Sequence, residues 1–318
     1  MPDTPRTAAR PGQERYVAEV DEQGLGAVDA VPDDCAPSSV WVEAWRQLRR
    51  RPIFWVSAVL ILGALTLAVA PGLFTGADPA FCELKNSYGP ASSGHPFGFD
   101  RQGCDIFART VHGARASVTV GVLTTLIVVV IGAVVGSLAG FFGGWIDALL
   151  ARFTDIFFAV PFVLAAIVVM QMFKGRSSIV TVVMVLAIFG WPQIARITRG
   201  AVLGVKNEDF ITAARSLGSG RLAILVRHVL PNAAAPIIVT ATVQLGSFIV
   251  SEATLSFLGV GLPPKVVSWG ADIATAQAAL RDHASVLLYP AGALALTVLG
   301  FIMMGDAVRD ALDPKARK

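Results

Sequence analysis

Few residues in this sequence stand where they could do chemistry, and their types point away from catalysis. The four histidines, at 95, 112, 228 and 283, are too far apart for the His-Glu-x-x-His pair that holds a catalytic zinc on one helix face. Three cysteines, at 35, 82 and 104, supply no zinc-site spacing and no disulfide scaffold. Gly305-Asp306 carries the Gly-Asp of membrane aspartyl proteases, but position 303 is Met where that motif needs Gly. A Gly-x-x-x-x-Gly-Lys-Ser/Thr phosphate loop does not occur in the sequence. What remains is a carboxylate and a few carboxamides beside apolar runs. Glu252 ends such a run, and an acid deep in a bilayer costs about 2.5–3.5 kcal/mol on insertion scales. Either it lies on a solute path and attracts an ammonium group, or it sits at the outer boundary, hydrogen-bonded to a helix end. Gln193 and Gln244, with Gln171, either line a polar path or bond between helices. Asp147, Asp155 and Asp306 fall at inner span ends and read as interfacial.

The elements that position these residues are membrane spans. The 318 residues are 54% hydrophobic and only 15% charged, against about 25% charged in soluble domains. The formal charge of +3 is too balanced for a nucleic-acid partner. About 20 apolar residues cross a bilayer as a helix. Six stretches fit: 53–76, 116–141, 156–173, 177–195, 233–251 and 284–305, each without Asp, Glu, Lys or Arg throughout. The third and fourth are short, and a buried hairpin is their alternative. Placing the N-terminus inside puts eighteen Lys and Arg on the inner segments and eight on the outer ones. The positive-inside rule therefore predicts both termini in the cytoplasm.

Residues 1–40 hold eight acids, three arginines and five prolines and read as a disordered cytoplasmic tail. In 41–52, Trp41, Trp45 and Leu48 recur at helical spacing beside Arg49, Arg50 and Arg51. That suits a basic helix lying in the inner headgroup layer, or a simple positive-inside anchor. Gly132, Gly136 and Gly140 form a small-residue stripe for close helix packing. Pro161 and Pro192 are expected to kink their helices. Cys82 and Cys104 share the outer segment 77–115, an oxidising setting in which a disulfide or two free thiols are the alternatives.

The long inner segment 196–232 is the most shaped stretch. Asn207, Glu208 and Asp209 are helix-start residues, and Gly218 suits a left-handed helix end. A second helix is expected to run to Leu230 and stop at Pro231. The resulting helix–turn–helix knob would expose Arg215 and Arg221 and bury Phe210, Ile211, Leu217 and Leu222. Such a knob suits a groove on a partner protein.

This segment resembles the EAA loop of ABC-importer permeases, in which Glu-Ala-Ala is followed by Gly and then by Ile-x-Leu-Pro. Ala213, Ala214, Gly218, Leu230 and Pro231 match in register, while Thr212 replaces the glutamate and His228 the isoleucine. His95-Pro96-Phe97-Gly98-Phe99-Asp100 with Gly103 and Asp105 resembles a segment of dipeptide and oligopeptide permeases. So do Gly113-Ala114-Arg115, Gly143-Gly144-Trp145-Ile146-Asp147, Glu252 to Gly259, Ser268-Trp269-Gly270, and Gly305-Asp306 through Asp310 to Pro314. Cys104 departs from the arginine frequent at its position in that family, which makes Cys82 and Cys104 a lineage-specific pair. The resemblance is to the C-type subunit and covers residues 40 to the end.

The resemblance implies an all-α membrane protein of six transmembrane helices with the type I, MetI-like importer fold. The permease domain would be 53–318, with an extracytoplasmic loop at 77–115 and a coupling loop at 196–232. In that loop Asp209, Thr212, Ala213, Ala214, Arg215, Gly218, Arg221, Leu230 and Pro231 would meet the ATPase. Implied partners are a homologous B-type permease, two ABC ATPases that bind ATP and Mg, an extracytoplasmic peptide-binding protein and membrane lipid. The implied place is a bacterial inner membrane and the implied cargo a dipeptide or oligopeptide. Nickel chelates, glutathione and haem are alternative cargoes, and a proton-coupled secondary transporter using Glu252 or Asp155 is the rival class.

Overall fold

The computed structural model describes residues 40–312, so the expected tail at 1–40 and Asp313-Pro314 lie almost entirely outside the described residues. The chain divides into two units, 1–43 and 44–318. Of the first, only the opening turn of helix α1 (Val40–Leu48) is described, and the side chain of Trp41 is outside that description. The second unit holds the other helices: α2 (Pro52–Val69), α3 (Ile106–Phe142), α4 (Gly144–Phe158), α5 (Phe162–Met172), α6 (Ile179–Val205), α7 (Asp209–Ser216), α8 (Arg221–Ile224), α9 (Leu230–Phe257), α10 (Trp269–Ala276) and α11 (Ser285–Leu312). Among the described residues there are no strands, only three isolated β-bridges.

Five helices are long and apolar enough to cross a membrane, and the α4–α5 pair makes a sixth crossing if its two halves count as one. This turns the kink expected in the third span into a break. The chain bends by 75° between α4 and α5. Pro161 caps the start of α5 and its ring cannot continue the preceding helix, so the proline breaks the span rather than kinking it. Pro192, by contrast, lies inside a continuous α6.

The pairing of α3 with α6 dominates the bundle. Its cause is the glycine stripe. A Cβ on Gly132 would lie 2.6 Å from Ile194 Cβ, one on Gly136 2.3 Å from the Ala195 carbonyl oxygen, and one on Gly140 2.9 Å from the Arg199 carbonyl oxygen. With no side chains there, the two backbones approach as membrane helices with small-residue stripes do. Around this pair, α9 packs on α3, α6 and α11, and α2 packs on α3 and α11.

α3 begins ten residues earlier than the apolar run, because its first turns carry charges with structural partners. Asp105 caps the helix by accepting from the Phe107 amide at 2.9 Å, and its other oxygen meets His95 Nδ1 at 2.9 Å. Arg109 pairs with Asp272 of α10. Arg115 donates to the Ala68 and Val69 carbonyls at 3.1 and 3.2 Å, satisfying the C-terminal end of α2. The outer loop therefore ends at Asp105 and not at 115. Within it Cys82 and Cys104 are joined by a disulfide. The loop is seated by Phe97, which stacks on Tyr289 of α11, and by Tyr88, which stacks on His283.

Helix α1 ends at Leu48, before Arg49, Arg50 and Arg51. Ala44 and Leu48 are buried with Ala307 and Ala311 of α11, while Trp45 is exposed. Leu48 thus faces protein and not the headgroup layer, since α11 offers two alanines as a shallow seat. Arg51 forms an ion pair with Asp310, fixing the same two ends together.

Candidate functional site

The segment between α6 and α9 folds as a knob at the end of the bundle opposite the disulfide loop. α7 starts at Asp209 behind Glu208 and ends in the αL residue Gly218, φ +80°. Two bonds close the turn: Gly218 N–H donates to the Arg215 carbonyl at 3.0 Å and Ser219 N–H to the Ala214 carbonyl at 3.2 Å. This is the Schellman pattern, which needs a left-handed residue that glycine adopts at least cost. Nothing lies within 4 Å of a Cβ built on Gly218, so its requirement is conformational and not steric.

The knob has its own core. Ile211 and Ala214 of α7 pack with Val202 of α6, with Ile224, Leu225 and Val229, and with Ala233 of α9. Lys206 Nζ donates to the Gly140 carbonyl at 2.8 Å and ties the knob's start to the end of α3. Behind it, Arg199 of α6 makes a two-pronged pair with Asp147 of α4, at 2.5 and 2.7 Å.

Two sequence expectations fail here. Phe210, Leu217 and Leu222 are exposed, with only Ile211 of the four buried; Leu217 is 87% and Leu222 64% accessible. Leu217 would share the inward face of Ala214 if α7 continued, but the helix ends at Ser216 and the Gly218 turn swings the chain away. Pro231 does not stop the second helix either. The chain runs from α8 through one π-helical turn, Leu225–Val229, directly into α9. A proline lacks the amide that would bond four residues back, and the π turn shifts the register to absorb that loss. Asn232 Nδ2 covers the His228 carbonyl at 2.7 Å.

Of the residues assigned to the coupling loop, Asp209, Thr212, Ala213, Arg215, Gly218, Arg221 and Pro231 are exposed. Ala214 is buried in the knob core and Leu230 is half-buried. The sequence pattern assigns Leu217 and Leu222 to burial, so what it hides is their exposure; its only signal is apolar residues set near a helix-ending glycine.

α6 and α9, the two helices flanking the knob, also share a cleft of about 340 Å³ lined by Gln193, Thr240, Gln244, Ser247, Ser251 and the aromatic rings of Phe157, Phe158 and Phe162. Gln244 Nε2 donates to Gln193 Oε1 at 3.0 Å, and Gln244 Oε1 has no partner. The hydroxyls of Thr240 and Ser251 are committed to carbonyls of their own helix. Glu252 is elsewhere. It is wholly buried, accepting from Ser117 Oγ of α3 at 2.8 Å and from Ser256 Oγ at 2.7 Å. Ser117 Oγ in turn accepts the Trp269 amide, and Ser256 Oγ the Leu262 amide, both at 3.3 Å. Ser117 was not legible as its partner, being 135 residues away.

Residues 132–318 match the family described as "Binding-protein-dependent transport system inner membrane component". The chain belongs to this family of ABC-importer permeases. The permease is 37% identical over 280 residues to the oligopeptide transport system permease protein OppC of Bacillus subtilis, covering 88% of this chain and 91% of that one. It is 40% identical over 278 residues to the glutathione transport system permease protein GsiD of Escherichia coli, covering 87% and 91%. Among solved structures, an inward-facing form of the MetNI methionine ABC transporter aligns with a TM-score of 0.54 at 21% identity. It covers 64% of this chain and 96% of its own. The MetI-like importer fold follows, and with the apolar helices it makes the permease a multi-pass membrane protein.

Proposed function

We propose that the permease forms half of a translocation pore in a bacterial cytoplasmic membrane, with both termini inside, and imports a short peptide. A homologous B-type permease supplies the other half. A binding protein delivers cargo at the disulfide-loop end, and two ABC ATPases, which bind the ATP and Mg, act at the knob end. This chain's own role is positional: it carries no phosphate loop and hands motion to the pore.

The observation that carries the coupling role is the knob itself. Leu217 and Leu222 stand exposed on either side of the rigid Gly218 turn, with Arg215 and Arg221 beside them. A solvated loop has no reason to hold two leucines in water on a well-packed base. An ATPase groove that covers them removes about 25 cal/mol for each Å² of apolar area buried.

Coupling then follows from continuity. α6 enters the knob at Val205 and the π turn passes it into α9. Gln193 lies about 18 Å up α6 from the knob, and Gln244 about 21 Å up α9, at 1.5 Å per residue. Closure of the ATPases pulls on the knob, moves both helices together and displaces the Gln193–Gln244 contact in the cleft. The unpartnered Gln244 Oε1 suits a peptide amide, which presents N–H donors along its whole length.

The test is ATP hydrolysis by the assembled complex in liposomes, with its binding protein, across dipeptides, tripeptides, longer peptides and glutathione. Stimulation by one peptide length class supports the reading and selects the cargo; stimulation by glutathione alone narrows it to that tripeptide. A flat response from an assembled complex overturns the peptide cargo.

A further inference from the structure

At the disulfide-loop end lies a second cavity of about 340 Å³, formed between the loop, the start of α3, α10 and the start of α11. It is separate from the cleft that carries Gln193 and Gln244. Ile106, Val286 and Pro290 give it apolar walls, and Asp272, Thr110 and Arg109 line its polar side. Its volume falls at the low end of the roughly 300–1,000 Å³ of small-molecule sites.

Two side chains lining this cavity each carry a buried polar atom without a partner. Asp272 is 8% exposed, and its Oδ1 takes both Nε and Nη2 of Arg109, leaving Oδ2 with no hydrogen bond. Thr110 Oγ1, on α3, is also unpartnered, although a helical threonine ordinarily bonds the carbonyl four residues back. An unsatisfied buried polar atom costs about 1–3 kcal/mol, so a donor that reaches either one relieves that cost. Burial pushes the Asp272 carboxyl above the usual carboxylate range, with Arg109 opposing that rise; a cation at Oδ2 would oppose it further.

The remaining charges on the cavity are Asp100, Arg101 and Arg109. Asp100 Oδ1 accepts the Gln102 and Cys104 amides, and its Oδ2 lies 4.0 Å from Arg109. Arg101 is exposed at the rim and makes no ion pair among the described residues. The cavity therefore offers one unbonded carboxylate oxygen inside, on an aspartate already paired with Arg109, and one unpaired cation outside.

We propose that this cavity binds a small zwitterion of α-amino-acid size, its ammonium donating to Asp272 Oδ2 and Thr110 Oγ1 and its carboxylate facing Arg101. A simple amine leaves Arg101 unmatched, and a simple carboxylate has nothing to meet inside. The site does not depend on the transport reading, because it uses none of the residues of the knob or the cleft.

The experiment is equilibrium binding of radiolabelled L-alanine to the assembled transporter in nanodiscs without its binding protein, with ethylamine and propionate as competitors. Saturable binding is expected, with each competitor weaker than unlabelled L-alanine by about tenfold or more, the equivalent of one charge-assisted hydrogen bond. Thr110→Val and the surface change Arg101→Ala should each weaken binding by about fivefold or more on the same grounds. Arg101 is exposed, so its variant tests the proposal even if Thr110→Val fails to fold. Absence of saturable binding, or binding indifferent to both substitutions, overturns it. Binding lost in Gln193→Ala but kept in Thr110→Val places the probe in the cleft and also overturns it.

Discussion

Gln244 Nε2 donates to Gln193 Oε1 across 3.0 Å, and this bond joins the two helices that leave the knob. Each carboxamide lies on the helix leading directly to one side of the Gly218 turn. Replacing Gln193 with alanine leaves the buried Gln244 with neither its oxygen nor its amide group bonded to the protein. The expected cost is about 1–3 kcal/mol. Thermal unfolding of Gln193→Ala, Gln244→Ala and the double variant should give a coupling energy of about 1 kcal/mol. Simple additivity would mean that the bond contributes nothing.

Glu252 holds three parts of the fold together: α3 through Ser117, its own helix through Ser256, and through those serines the amides of Trp269 and Leu262. Glu252→Gln keeps one acceptor and adds a donor with no acceptor waiting for it. Stability should drop by about 1.5–3 kcal/mol, as for hydrogen bonds to a charged group. Uptake per folded molecule should persist. Lost uptake with an unchanged melting temperature would instead put Glu252 in contact with cargo.

Gly136 is where the α3–α6 backbones come closest, since a Cβ there would meet the Ala195 carbonyl oxygen at 2.3 Å and Thr198 Cβ at 2.7 Å. Neither is the end of a flexible side chain, so the helices must separate. Gly136→Val is expected to destabilise by about 1–3 kcal/mol or more. Gly200→Val, which meets nothing within 4 Å, is the matched control and should be far milder in the same melting assay.

The disulfide closes the outer loop on one exposed and one fully buried residue, Cys82 and Cys104. Cys82→Ser removes the cross-link while leaving the buried position filled. A loop of this length loses about 3 kcal/mol of stabilisation in the chain-entropy picture. Limited proteolysis should cut first between residues 82 and 104 in this variant. Identical cleavage rates in wild type and variant would show that the aromatic stacking of Phe97 and Tyr88 suffices to hold the loop.

Much of this was legible in the sequence where one physical signal acts alone. Apolar length marks the spans, glycines four apart mark the α3–α6 seam, and Gly218 marks its turn. The misreadings come where two signals conflict. Arg109 and Arg115 look like loop charges, but their partners are Asp272 and the end of α2, so α3 starts at Ile106. Pro231 looks like a helix stop, yet a π turn ahead of it lets the helix pass. Leu217 and Leu222 fit a buried pattern but face outward, outside the knob's own core, because α7 ends at Ser216 and the chain turns away at Gly218. The Glu252–Ser117 bond links residues too far apart for any local pattern to pair.

The central claim is that the knob transmits ATPase motion through a rigid Gly218 turn. Gly218→Asp sets an L-residue at φ +80°, a strain of about 1–2 kcal/mol. It also adds a charge beside Leu217 without a steric clash. The measurement is retention of the ATPase on the purified permease complex, together with ATP-driven uptake in vesicles, at matched membrane levels of wild type and variant. The account predicts normal insertion, loss of most bound ATPase and loss of uptake. Normal ATPase retention with normal uptake in Gly218→Asp would contradict it.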